Sequence, residues 1–302
     1  MSLEPLKRQQ RLHVAIPASI VSDVPHLREK TFKLGFIGRA LAVFRIDEVI
    51  VYPDILSIDQ SRDQRLIQMI LSYMETPQYL RKKLFGIMPE LCYAGILPPL
   101  RTPHHLTQNK KRSLKVGEFR DGIVLKECRH GVFIDIGVEE PIFVPNVHVR
   151  SGMRVTVKIV NEGENPKVIL VNPEEIPIYW GYKVVISKDP LGKTIKKGSF
   201  NLVIATSRYG ESLIKVKDEI LNRWRFSKSI LIAFGSPTQG LHEITKQEGL
   251  ELSEVSDFIV NVIPRQATET VRTEEALYSA LAILNFLTEP LCANNYITRN
   301  SS

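Results

Sequence analysis

Cysteine is scarce: Cys92, Cys128 and Cys292 are the only three in 302 residues. They are too few and too widely spaced for a disulfide framework or a cysteine-built zinc site, so a reducing, cytoplasmic setting is expected. Long hydrophobic runs are also missing. The longest apolar stretches, at 230–234 and 258–263, fall far short of the roughly 20 residues that a bilayer requires. The polar start at 1–10 has no apolar segment behind a basic one, so no signal peptide is expected. The phosphate-loop pattern G-x-x-x-x-G-K-[ST], the dinucleotide fingerprint G-x-G-x-x-G and the nucleophile elbow G-x-S-x-G are all absent. No histidine pairs with cysteine or carboxylate at ligand spacing, so no metal is expected. His104 and His105 are adjacent, their rings would point apart in an extended strand, and a surface role is expected for them.

What is present is ordinary in bulk: 43% hydrophobic and 24% charged residues exclude global disorder. At roughly 150 residues per domain the length allows about two domains. Lysine and arginine number 40 against 33 acidic residues, a net charge of +7. The excess gathers at Lys110, Lys111 and Arg112, at Lys115, Arg120, Lys126, Arg129 and His130, and at Lys193, Lys196 and Lys197. Such clusters serve either as a solvated face or as phosphate contacts.

The chain changes texture twice. Strand patterns at 13–17 and 46–52 bracket a helical pattern at 27–44, which Gly35 and Gly38 weaken. Ser61 and Gln64 have capping-box spacing before a helical run through Met74, and Pro77 stops it. From 116 to 171 the pattern becomes five short strands: 118–126, 131–137, 141–144, 153–160 and 167–171. Without a long helix among them they point to a small closed barrel. Beyond Trp180, continuous apolar runs at 184–186, 202–205, 230–234 and 258–263 read as parallel strands buried on both faces. Helical patterns at 211–223, 240–248 and 273–287 separate or follow them, the last with Ala276, Ala280, Leu284 and Leu287 as its buried stripe. The same texture on both sides makes the barrel an insertion. The expected division is 1–106, 107–175 and 176–302.

Two loops stand out. The strand at 230–234 empties into Gly235 to Gly240, and the strand at 258–263 into a polar loop that reaches Thr270. Ligands in open α/β sheets bind beyond the carboxyl ends of strands, where glycines let main chain approach them. The segments FGSPTQGLHE (234–243) and NVIPRQATETVRTEEA (261–276) resemble the two knot motifs of the SPOUT, or α/β-knot, RNA methyltransferases. KTFKLGFIGRA (30–40) and AGILPPLRTPHH (94–105) resemble their archaeal and eukaryotic branch, which carries an inserted OB-fold.

The resemblance implies an α/β fold with a mostly parallel sheet, a C-terminal trefoil knot and an inserted OB-type β-barrel. It also implies S-adenosylmethionine as cofactor, RNA as substrate and a homodimer. Position by position it assigns Gly235 and Gly240 to the cofactor loop. Asn261, Ile263, Gln266, Thr270, Val271 and Ala276 form the other wall, and Thr206 and Phe234 complete the set. Near Ala267, where the family carries glycine, this chain has none. The RTEEA stretch at 272–276 resembles enzymes that methylate uridine N3 in ribosomal RNA rather than those acting on ribose hydroxyls. Arg272, and Arg39 from a facing subunit, are then expected to stabilise the anion that develops on the base, with His242 or Glu243 accepting its proton. RNA docking falls to Lys110, Lys111, Arg112, Arg120, Lys126 and Arg129 in the insertion. Phe119 and Phe133 are available there for stacking, although the apolar neighbours of Phe133 favour the core for it. The alternatives are a non-catalytic RNA-binding protein, and a SPOUT enzyme acting on ribose 2′-hydroxyls or on transfer RNA.

Overall fold

The computed structural model describes residues 5–299, and side chains as far as residue 289, so the side chain of Cys292 lies outside the described residues. Two compact units divide the chain. One comprises Arg8–Ser72, Glu90–Pro99 and Tyr182–Ser302, the other Met1–Lys7, Tyr73–Pro89 and Leu100–Gly181.

The larger unit is α/β. Its strands are β1 (Arg11–Pro17), β2 (Glu48–Tyr52), β8 (Lys183–Ile186), β9 (Leu202–Ser212), β10 (Ser229–Ala233) and β11 (Phe258–Asn261). They form one sheet in the order β11-β9-β10-β1-β2-β8, with every pairing parallel. The continuous apolar runs have the expected cause: Val14, Ala15 and Ile16 are successive and all fully buried, so β1 is covered on both faces. One face packs Ala15, Tyr52, Ala205 and Leu231 against α4 (Leu191–Lys197) and α6 (Leu241–Gln247). Helix α1 (Leu27–Val43) runs straight through both of its glycines. At Gly35 the reason is contact, since a Cβ there would lie 2.9 Å from Pro98 Cδ. Helix α5 (Leu213–Phe226) follows β9, and α7 is Thr273–Arg299. The buried stripe of α7 is Leu277, Ala280, Leu281, Leu284 and Thr288; Ala276 and Leu287 are only half-buried. Lys33, almost wholly buried, joins α1 to the start of α7 by ion pairs to Asp23 (2.7 Å) and Glu274 (3.2 Å).

Helix α2 (Ser61–Glu75) has the expected span but not the expected cap. Ser61 lies inside the helix and bonds Asp59, while Gln64 is buried and donates to the carbonyls of Val51 (3.1 Å) and Ser187 (2.8 Å). The periodicity also missed α3 (Gln78–Phe85) and α4, of 8 and 7 residues.

The smaller unit holds an antiparallel sheet of β3 (Phe119–Cys128), β4 (Gly131–Asp135), β5 (Ile142–Pro145), β6 (Arg154–Asn161) and β7 (Lys167–Val171), ordered β5-β4-β3-β6-β7. Its end strands β5 and β7 approach each other around a core of Val124, Val132, Ile134, Val144, Val157 and Ile159. On the opposite face Arg154 forks onto Glu75 (2.5 and 3.0 Å) and Asp121 (2.5 Å), and Asp121 also accepts from Thr156 and Trp180. His104 and His105 belong to this network, so the expected surface role fails. His104 is fully buried, and both rings reach the Glu75 carbonyl at 2.8 and 2.7 Å. Burial pushes the Glu75 carboxyl up, but Arg154 and His104 outweigh it and hold it at about 2.

Candidate functional site

Strands β9, β10 and β11 carry their carboxyl ends to one place, and a cleft of about 210 Å³ opens there. Parallel strands without alternating polar residues end abruptly in polar loops, and those loops are the walls. From the middle of β9 come Thr206, Ser207, Arg208 and Tyr209; from the loop after β10, Phe234 to Gly240 with Glu243 behind them. The loop after β11 and the start of α7 supply Asn261, Ile263, Gln266, Thr270, Val271, Thr273 and Ala276. All ten residues assigned to the cofactor, from Thr206 to Ala276, line this one cleft.

The β10 loop is held by hydroxyl groups. Thr206 Oγ1 donates to the Ala233 carbonyl (2.9 Å), Tyr52 Oη to that of Phe234 (2.6 Å), and Thr273 Oγ1 to that of Gly235 (3.0 Å). Three successive carbonyls are thus fixed by three different elements. Burial pushes the Tyr52 phenol up, with Asp54 and Glu248 adding to it, so it remains a proton donor. Within the loop, Ser236 N–H donates to the Gln239 carbonyl (2.9 Å), closing a tight turn. A Cβ on Gly235 would stand 3.0 Å from Gln239 O and 3.3 Å from Gly240 Cα, so any larger residue presses on the main chain where the loop folds back on itself. A Cβ on Gly240 would meet only Glu243 Oε2, at 2.7 Å, and then Cδ at 3.8 Å. The opposite loop is pinned by Asn261, whose Oδ1 accepts from Ile263 N–H (2.9 Å) and whose Nδ2 donates to Arg208 O (2.9 Å). Its left-handed position is Arg265 (φ 59°), two residues before Ala267.

The residues expected to act on the base lie differently. Glu243 is in the cleft wall. Arg272 is exposed between two lining residues, Val271 and Thr273, and its backbone N–H donates to Glu275 Oε2 (2.9 Å). Arg39 is on α1, outside its own chain's cleft lining, and donates to Pro99 O (3.1 Å). His242 is half-buried and does not line the cleft. Arg208, Tyr209 and Thr273 line the cleft without having been expected from the sequence, and buried Tyr52 supports its β10 loop from behind; only long-range pairing brings them in.

In the smaller unit two expectations reverse. Arg120 is fully buried, its guanidinium bonded to Glu118 (2.7 Å) and Gln108 O (3.0 Å), so it is removed from the phosphate-contacting set. Phe133 is not core. It is 38% exposed, faces Phe143 (41% exposed) across β4 and β5 with ring centroids 5.1 Å apart, and pairs in register with exposed Lys126 on its other side. Lys110 and Arg129 are exposed, while Lys111 and Arg112 pair with Glu140 (2.7 Å) and Glu164 (3.4 Å). Phe119 is half-buried, with Lys158 Nζ 5.7 Å from its ring centroid. Among the described residues there is no group of three or more potential metal ligands, and no helix long and apolar enough to cross a membrane.

Residues 11–284 match the model of a family described as "Putative RNA methyltransferase". The chain belongs to that family. Its relatives include the 28S rRNA (uridine-N(3))-methyltransferase of Drosophila melanogaster, 32% identical over 94% of this chain and 63% of its own length. The Homo sapiens protein of the same name is 31% identical over 92% of this chain and 78% of its own. An uncharacterised protein of Halobacterium salinarum is 34% identical over 91% and 99%. The RNA methyltransferase thus has archaeal and eukaryotic relatives, and it is an enzyme rather than a mere RNA binder.

Proposed function

We propose that this RNA methyltransferase uses S-adenosylmethionine, held in the cleft, to methylate N3 of a uridine in large-subunit ribosomal RNA. The observation that carries the reading is the meeting of all ten cofactor-assigned residues in one cleft, in a chain whose relatives include proteins named 28S rRNA (uridine-N(3))-methyltransferase. The walls fit the donor's chemistry. Val262, Ile263 and Val271, all partly exposed, offer apolar surface for an adenine ring, main-chain groups and amides suit the ribose and amino-acid tail, and the Glu243 carboxylate suits a cation. When bound, the cofactor supplies a sulfonium-activated methyl group, taken by the N3 lone pair as the C–S electrons return to sulfur. The chain's own task is orientation, water exclusion and charge. Glu243 takes the N3 proton, and Arg272 or a partner's arginine at position 39 stabilises charge on the uracil oxygens.

The same reading includes a C-terminal trefoil knot, an OB-type barrel for the antiparallel sheet and RNA docking by residues 107–175. It also includes a homodimer in the cytoplasm. Phe32, Phe36, Arg39 and Val43 follow at helical spacing on one face of α1, where the three apolar side chains are 54%, 46% and 49% exposed. That stripe supports a partner subunit, and supports Arg39 as its contribution. Titration calorimetry with S-adenosylmethionine tests the cofactor. Nucleoside mass spectrometry after incubation with unmodified large-subunit RNA tests the atom: N3-methyluridine is expected, and a ribose methyl would overturn the base assignment.

A further inference from the structure

Strand β9 breaks its pairing where it reaches the cleft. Ile259 of β11 pairs with Ala205, yet the next residue, Val260, pairs with Glu211. Residues 206–210 therefore leave the ladder across a single step of the neighbouring strand. Their return depends on Gly210, where a Cβ would lie 2.6 Å from Ile259 O and 2.7 Å from Ile259 C and Val260 N, all main chain. The excursion is tied down at several points. Asn261 Nδ2 donates to Arg208 O (2.9 Å), Arg208 Nη1 donates to Glu269 O (2.8 Å), and Tyr209 N–H donates to Ser207 Oγ (3.2 Å). Arg208 also lies against the Tyr209 ring, its guanidinium carbon 4.7 Å from the centroid and Nη2 2.5 Å from the phenol oxygen.

All this bonding holds a ring that is itself 68% exposed at the cleft rim. A tyrosine left open for no purpose would gain nothing from such support, because the apolar ring faces water. A propped aromatic ring beside a guanidinium is, however, what a single nucleobase stacks on, with the cation available to its phosphate or to an anionic pyrimidine. We propose that Tyr209, propped by Arg208, is the platform on which the target pyrimidine of the RNA is held for methyl transfer. The proposal rests on the reading of the cleft as the methyl-donor site and adds the place where the substrate base lies.

The test begins with 4-thiouridine placed throughout an in vitro transcript of large-subunit ribosomal RNA. Irradiation of its complex with the full chain should give a crosslink that mass spectrometry maps to Tyr209 or Arg208. Crosslinks confined to other residues overturn the proposal. In parallel, Tyr209→Ala should keep its fold and its affinity for S-adenosylmethionine within about twofold. It should lose about 10- to 100-fold in kcat/KM for RNA, the fold-change one aromatic–base stack carries. Tyr209→Phe keeps the ring but loses the bond to Arg208, and should recover most of that loss. Gly210→Ala, which displaces the excursion without removing the ring, should share the defect. A fully active Tyr209→Ala, an equal loss of cofactor affinity, or a Phe variant as impaired as Ala would each refute the platform. If the wild-type chain binds no S-adenosylmethionine, the cleft reading fails and takes this proposal with it; wild-type activity alongside an unimpaired Tyr209→Ala defeats this proposal alone.

Discussion

Gly235 and Gly240 bound the same loop, yet alanine at the two positions should have opposite consequences. At 235 the added methyl presses on Gln239 O, Gly240 Cα and Leu241 N at 3.0–3.3 Å. These are main-chain atoms of a turn that is already pinned through the Gly235 carbonyl by Thr273, so they have little room to yield. Overpacking of this kind typically costs about 1–3 kcal/mol. Falling on the loop that meets the donor, it weakens S-adenosylmethionine about 5- to 150-fold. At 240 the methyl meets the end of the Glu243 side chain, which can swing aside, and the backbone there has φ −73° and ψ 169°, open to any residue. Gly240→Ala should therefore bind the cofactor within a few-fold of wild type and lose turnover through displacement of the Glu243 carboxylate. Calorimetry on both variants, with thermal unfolding to confirm the fold, gives the comparison. Equal affinities for Gly235→Ala and wild type would refute the loop argument, since they would mean that the pinned turn yields the few tenths of an ångström the methyl needs.

Three further outcomes are expected. Replacing Phe133 and Phe143 together by alanine should leave the smaller unit folded, since both rings face outward, and should weaken RNA binding about tenfold or more in a filter or fluorescence assay; unchanged affinity would exclude that face from docking. Arg272→Ala should retain cofactor and RNA binding but lose on the order of a hundredfold in turnover, as removal of an anion-stabilising donor does; a loss confined to RNA affinity would make Arg272 a phosphate contact instead. His105 gives a pH dependence. Burial, and then neighbouring His104, push it from the ordinary 6.5 down to about 4, so between these values the unfolded chain binds the proton and the folded chain does not. Its stabilisation is complete above 6.5 and is lost as pH falls toward 4; melting temperatures across that range should fall less steeply in His105→Gln, and an unchanged slope would refute the assignment.

The sheet was legible because burial on both faces leaves a local trace: runs such as 230–234 need no partner to be recognised. The five short strands of the smaller unit were legible for the complementary reason, since glycine, asparagine and proline punctuate them. What escaped were features decided at a distance. His104 and His105 look like a polar surface pair until Glu75, 29 and 30 residues earlier, meets both rings. Phe133 looks apolar in context, but strand alternation turns it outward while Val132 and Ile134 on either side enter the core. Arg120 looks like part of a basic cluster, yet the same alternation turns it in, where Glu118 and a carbonyl neutralise it. The stretch 206–212 carried no strand signal at all, because it extends β9 by leaving the ladder and rejoining it.

The candidate site shows why its two walls differ in kind. The β10 loop is rigid by construction: its three leading carbonyls are each taken by a hydroxyl from β2, from the middle of β9 or from the start of α7. A loop so fixed is already ordered before any ligand arrives, and binding there loses little conformational entropy. That suits a small cofactor recognised mainly through backbone. The β9 excursion is instead tied at its base and left open at its tip, with Arg208 and Tyr209 exposed. A surface of that design suits a large partner whose own bases must be brought to the cleft and released again. Methyl transfer needs both properties, because the reacting atoms must be held in line while one of the two reactants belongs to a macromolecule. The chain supplies them from adjacent strands of one sheet, β10 and β9, the latter freed for its excursion by the register break in its pairing with β11 between Ile259 and Val260.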